Sequence, residues 1–417
     1  MRRLTRWLVA AVLCAAVLPA SALAATGDPL RPQQWGLDLI HADPAHSVTT
    51  GAGATVAVVD TGIDAAHPDL AGRVLPGRDF VDGDSTPQDG NGHGTHVSGI
   101  IAADAGNGIG VDSVAPGASI LPVRVLDNGG AGSDADVAQG IDWATGHGAD
   151  VINLSLGGSL PTAGLGLPDQ MTAAVERAVD HGVVVVAAAG NDGLPFCENN
   201  SLSGKVLCVG AVDKRENRSF YSSFGSGLSL VAPGGSDLPG TDEDILSTWN
   251  DGGYRELAGT SQATPHVSGV AALLVSLGVR GQAAVQRILA TATDLGTPGP
   301  DELFGAGLVN AQAAVAGLGR GAAGGSPTSS PRLHLARRMR IRTVLRHGIR
   351  FTCSPACSGV ARHRGVKVAA GWGGVLKLGR RGRRTLTAAL RRHHALRVTV
   401  TFRFSSGTVK RGLRLVP

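Results

Sequence analysis

Apolar residues recur along most of the chain in two rhythms. Unbroken runs rich in valine and alanine, "TVAVVD" (55–60), "SILPVRVL" (119–126), "DVINLSL" (150–156), "VVVVAAAG" (183–190) and "VLCVGAVD" (206–213), have the length and β-branched content of strands buried on both faces. Residues 94–103, 133–146, 169–181, 261–277 and 281–293 instead space their apolar positions three and four apart, the period of a helix that buries one stripe. Strand and helix alternating in this way predict an α/β fold, a doubly wound, mainly parallel sheet with helices on both faces. Sites in such sheets lie beyond the carboxyl ends of the strands, where Asp60, Ser155, Gly157 and Asn191 fall.

The rhythm changes after "GLGRGAAGGSPTSSPR" (317–332), whose Gly, Ser and Pro mark a linker. Beyond it "GIRFTC", "VKVAAGW", "GVLKLG", "RTLTAAL", "LRVTVTFRF" and "LRLVP" alternate with period two, predicting a small all-β, sandwich-like domain over 333–417. At the other end, "MRRLTRW", the apolar stretch "LVAAVLCAAVLPA" and Ala22-Leu23-Ala24 have the three-part layout of a secretory signal, residues 1–24, too short for a stable span. The main domain then covers 25–316, and the expected product is an extracellular monomer without a membrane anchor.

Export changes how cysteines read. Cys197, Cys208, Cys353 and Cys357 form two sequence-close pairs, and disulfides persist outside the cell. Zinc is the other use of four cysteines, but neither pair has the C-x-x-C spacing, so bridges Cys197–Cys208 and Cys353–Cys357 are expected.

The net charge of +5 hides a division. From Arg332 to Pro417 there are 22 Lys and Arg and no Asp or Glu, whereas residues 25–331 carry 13 basic against 33 acidic residues. A basic module of this kind suits anionic cell-envelope polymers, or docking on the acidic domain of the same chain. Few aromatics accompany the arginines, which argues against a base-stacking nucleic-acid surface.

The candidate chemistry is nucleophilic. Ser261 in "ELAGTSQATPHVSG" precedes a helical run and could be a simple N-cap. A serine nucleophile needs a base held in tautomer and orientation by a buried carboxylate. The chain offers His93 in "DGNGHGTHVSGI" and Asp60 in "VAVVDTGID". Asn191 in "AAAGND", with the Ser261 backbone N–H at a helix N-terminus, could donate to an oxyanion. His96, His266, His67 and the pair His393-His394 read as packing, capping, turn or solvated residues.

The blocks "VDTGID", "HGTHVSG" and "GTSQATPHVSG", in the order Asp, His, Ser, resemble the subtilisin-like serine proteases over roughly residues 30 to 316. The resemblance implies an endopeptidase with Asp60 as orienter, His93 as base, Ser261 as nucleophile and Asn191 in the oxyanion hole. It implies that Ser155, Leu156 and Gly157 pair with an extended peptide and that Ala188, Ala189 and Gly190 form the opposite wall. Small walls suggest a large apolar side chain before the scissile bond, although Asp192 at the rim could favour a basic one. No cofactor is needed for the chemistry. A structural calcium is implied at Asp69, Asn107, Ile109 and Val111, in a loop that reads one residue longer than in familiar members. The segment from Ala25 resembles the mature start of the family, so folding without a cleaved propeptide is expected. The rival reading is a noncatalytic envelope-binding or adhesion protein on a protease scaffold, which has no reason to keep Asp60, His93, Asn191 and Ser261 together.

Overall fold

The computed structural model describes residues 27–157, 170–198, 206–318, 332–335, 338–347, 349–354, 358–363, 366–372, 375–378, 380–392, 395–404 and 407–416. The signal-like segment, most of the linker, Cys357 and His393-His394 lie outside the described residues. Two compact units divide between Arg320 and Gly321.

In the first unit seven strands form one sheet: β1 (Thr55–Asp60), β2 (Arg78–Asp79), β3 (Ser119–Arg124), β4 (Val151–Leu154), β5 (Val184–Ala188), β6 (Leu207–Val212) and β7 (Leu230–Pro233). Their order is β2-β3-β1-β4-β5-β6-β7, with every pairing parallel. Two further strands, β8 (Ile245–Thr248) and β9 (Tyr254–Leu257), form an antiparallel pair. Helices α1 (Trp35–Leu39), α2 (Ala42–His46), α3 (His93–Ala102), α4 (Asp134–Gly146), α5 (Gln170–Asp180), α6 (Thr260–Ser276), α7 (Gln282–Ala290) and α8 (Ala311–Val315) complete the unit.

The alternation of β1 explains the layers. Val56 and Val58 pack on one face with Val267, Val270 and Leu274 of α6, while Ala57 and Val59 pack on the other with Val137 and Ile141 of α4 and Val175 of α5. Successive side chains point to opposite faces, so a strand covered on both sides must be apolar throughout. That continuous apolarity made five strands visible in the sequence. β2, of 2 residues, is too short to leave a periodic signal. Among the described residues no helix is long and apolar enough to cross a membrane.

The second unit is sheet-rich but also helical. Its eight strands run Arg332–Leu335, Arg338–Arg340, Ile349–Ser354, Ser358–His363, Val366–Trp372, Val375–Leu378, Leu396–Phe404 and Gly407–Val416 in a single, mostly antiparallel sheet. Two helices, α9 (Ile341–His347) and α10 (Arg380–Arg391), accompany it. The stretch "RTLTAAL", expected as a strand, lies in α10. There Leu386 and Ala389, three apart, are buried with Ile341, Val344, Val398 and Leu413, while Arg383, Arg384 and Arg391 are exposed. A short apolar run fits either period, and its packing partners decide.

Cys197 and Cys208 are joined, clamping the loop after β5 to β6 across a sequence separation of 11. In the chain-entropy account such a closure contributes about 2–4 kcal/mol. Replacing both cysteines by alanine is therefore expected to lower Tm by roughly 5–10 °C in calorimetry.

Candidate active site

Strand β1 sits in mid-sheet and ends in Asp60, which is fully buried. A buried carboxylate is costly unless its lone pairs are occupied. Asp60 Oδ1 accepts from Thr61 N at 2.8 Å and meets His93 Nδ1 at 2.7 Å, while Oδ2 has no partner among the described residues. The acid thereby sets the ring's tautomer, with Nδ1 carrying the proton and Nε2 left toward the cleft.

His93 opens α3, and the turn that presents it is built around Asp89, a residue the sequence reading passed over. Asp89 Oδ1 accepts from Thr61 Oγ1, Asn91 N and Gly92 N, and Oδ2 from Thr95 N and Thr95 Oγ1, all at 2.6–2.9 Å. One buried carboxylate thus satisfies orphan amides at the helix start and ties that start to the end of β1. Gly94 follows because a Cβ there would collide with the Gly62 carbonyl. Burial disfavours a charged His93, but the Asp60 charge and hydrogen bond, with Asp89 beyond, outweigh it and hold the imidazole pKa above its ordinary 6.5.

The other histidines of this unit that were set aside are structural. His96 Nε2 donates to the carbonyls of Ile245 and Arg255, and burial lowers its pKa to about 3. His266 Nδ1 bonds the Gln262 carbonyl at 2.9 Å, and burial brings it to about 4. His67 Nδ1 accepts from Asp69 N at 3.1 Å.

Ser261 stands in the first turn of α6. Pro265, four residues on, has no N–H to give the Ser261 carbonyl. Ser155 Oγ donates to that carbonyl instead, at 2.8 Å, and in turn accepts from Asn153 Nδ2 at 2.9 Å. Asn153 Oδ1 accepts from Ser268 Oγ at 2.7 Å, so the end of β4 is fastened to α6 at two levels. The Ser261 hydroxyl donates to the Ser155 carbonyl at 3.2 Å. Asn191, after β5, accepts at Oδ1 from both the amide and the hydroxyl of Thr260, each at 2.9 Å. With its oxygen so engaged, the Asn191 amide NH₂ is the end left for a ligand, and that side chain is exposed.

A cavity of about 390 Å³ adjoins these groups. Leu156, Gly157, Ala188 and Gly190 line it together with Asn191, Asp192, Glu198, Thr260 and Ser261. A second cavity, about 450 Å³, contains His93, Ser155, Leu126 and Met171 and shares Leu156 and Gly157 with the first. Ala189, expected on the wall, does not line the cavity. It packs instead against Cys197 and Cys208, because the side-chain alternation of β5 continues past its end.

Asp69, Asn107, Ile109 and Val111 come together, but around hydrogen bonds. Asp69 Oδ1 accepts from Asn107 Nδ2 at 2.7 Å and Oδ2 from Val111 N at 2.8 Å, and Ile109 N donates to Asn107 Oδ1 at 2.9 Å. Asp28 accepts from Gly106 N and Gly108 N at 2.7 and 3.0 Å. Calcium requires oxygen lone pairs converging on one point. The Asp69 and Asp28 carboxylates receive N–H donors of the loop, and a calcium would have to draw their remaining lone pairs together with the Asn107 side-chain oxygen and the carbonyls of Ile109 and Val111.

The description "Subtilase family" belongs to the family model that matches residues 51–307. The chain is 44% identical over 283 residues to Thermitase of Thermoactinomyces vulgaris, covering 68% of this chain and 96% of that protein. It is equally 44% identical over 284 residues to Subtilisin Savinase of Lederbergia lenta, covering 67% and 98%. Among solved structures, a protease of Pseudoalteromonas arctica aligns at a TM-score of 0.62 and 34% identity, covering 70% of this chain and 100% of that one.

The loop over 106–111 can be tested directly. A saturated calcium site would raise Tm by about 5 °C or more. Tm is expected to be higher by that margin in millimolar calcium than in EGTA, and equal values would show that the hydrogen bonds alone close the loop.

Proposed function

The chain belongs to the subtilase family of serine peptidases, and from this we propose that it is an exported endopeptidase whose triad is Asp60, His93 and Ser261. The observation that carries the assignment is the 2.7 Å contact from buried Asp60 to His93 Nδ1. It leaves the opposite ring nitrogen as the base that a serine nucleophile needs.

In the reaction the Ser261 hydroxyl leaves the Ser155 carbonyl and attacks the scissile carbonyl carbon while His93 Nε2 takes its proton. Asp60 stabilises the imidazolium. The oxyanion is met by Asn191 Nδ2 and by the Ser261 amide, aided by the positive end of the α6 dipole. Collapse expels the amine, which collects the proton from His93, and water repeats the sequence on the acyl-enzyme. The substrate backbone runs extended along Ser155, Leu156 and Gly157, with the side chain before the scissile bond in the cavity between Leu156 and Ala188.

Export is supported by the N-terminal charge and hydropathy pattern. The second unit, whose α10 exposes Arg383, Arg384 and Arg391, would hold the enzyme at anionic envelope polymers.

Purified protein is expected to react with a fluorophosphonate probe and Ser261→Ala to lose that labelling entirely; equal labelling of both would move the nucleophile elsewhere. Catalysis requires neutral His93, so kcat/KM should fall as pH drops through its raised pKa. The acid limb is therefore expected above the ordinary imidazole value of 6.5. Asp60→Asn removes the charge that raises it. The residual activity of that variant should titrate at lower pH, measured as kcat/KM profiles of the two proteins.

A further inference from the structure

The cavity beside Ser261 holds two acidic side chains, Asp192 and Glu198, and no basic one among the described residues. Glu198 follows Cys197, whose bridge to Cys208 fixes the segment against β6, and its amide donates to the Ala189 carbonyl at 2.9 Å. Its carboxylate lies against Gly190, where any side chain would strike it; Gly190 also has φ +108°, so the backbone and the acid both require glycine. The Ser223 hydroxyl donates to Glu198 Oε1 at 2.8 Å. Among the described residues neither Glu198 nor Asp192 takes part in an ion pair.

We propose that Glu198, supported by Asp192, makes this enzyme select lysine or arginine immediately before the scissile bond. The inference rests on the proposed peptidase reaction and specifies its substrate. An apolar side chain filling the cavity would strip water from the Glu198 carboxylate and return no hydrogen bond, which penalises that substrate. A lysine or arginine lays its methylenes along Leu156 and Ala188 and brings its cationic head to the carboxylate. Arginine can engage it through two N–H groups at once. This reverses the apolar preference that the small walls suggest. Asp192 was visible in the sequence because it adjoins Asn191. Glu198 comes to the same cavity only through the return of the loop to β6.

The test uses the full-length, disulfide-intact protein and peptide p-nitroanilides that differ only in the residue before the scissile bond. Lysine and arginine substrates are expected to exceed leucine and phenylalanine in kcat/KM by about 10-fold or more. Glu198→Gln is expected to shrink that ratio by about 10- to 100-fold, and Asp192→Asn by less, because the rim is better screened. A merely structural effect of Glu198→Gln would lower all four substrates together and leave the ratio unchanged. Benzamidine, a cationic probe that needs no mutation, is expected to inhibit the unmodified enzyme competitively. A preference for leucine or phenylalanine, or a ratio unmoved by Glu198→Gln, overturns the proposal. Fluorophosphonate labelling separates the two levels. Labelling with an apolar preference removes only this specificity, whereas no labelling removes the peptidase reading and the specificity with it.

Discussion

The site depends on one constraint, a carboxylate sealed at the end of a central strand. Asp60 is inaccessible to water, and its charge is tolerable only because Thr61 N and His93 Nδ1 are directed at it. Those donors need their own supports, and Asp89 supplies them by binding the amides of the turn that carries His93. The polar machinery is thus a chain of hydrogen-bonded groups running inward from the cleft to Asp60 Oδ1, with Oδ2 left without a partner among the described residues. The sheet provides its depth, since β1 is flanked by β3 and β4 and covered on both faces.

Ser261 is held by a different device. Pro265 deprives the Ser261 carbonyl of its helical donor, and Ser155 replaces that donor from the neighbouring strand. A defect in α6 thereby becomes the fastening between helix and sheet, beside the candidate nucleophile. Thr260 performs the matching task for Asn191, engaging the amide oxygen so that its nitrogen faces outward. The serine is therefore both part of a helix start and a candidate nucleophile, and the same first turn provides the dipole that would favour negative charge.

Around this centre, loops carry the individuality of the chain. The segment 106–111 is fastened by carboxylates receiving N–H groups. The Cys197–Cys208 bridge fixes a segment that brings an acid to the cavity beside Ser261. In the second unit, apolar residues from two helices and one sheet form a separate core, while arginines of α10 remain on its surface.

Much of this was legible beforehand. Strands covered on both faces must be apolar along their whole length, so β1, β3, β4, β5 and β6 could be read from composition, and glycine-bearing motifs marked Asp60, His93, Asn191 and Ser261 at element ends. Periodicity was silent where a segment was too short, as in β2, or compatible with two periods, as in α10. The sequence by itself determined which residue types could perform the chemistry and which runs had to be buried, because both follow from local composition. Only the tertiary structure decided that Asp89 builds the histidine turn, that Ala189 packs on the disulfide and that Glu198 lines the cavity beside Ser261. Each of these depends on contacts between segments distant along the chain, and their geometry is set by packing rather than by any pattern within one segment.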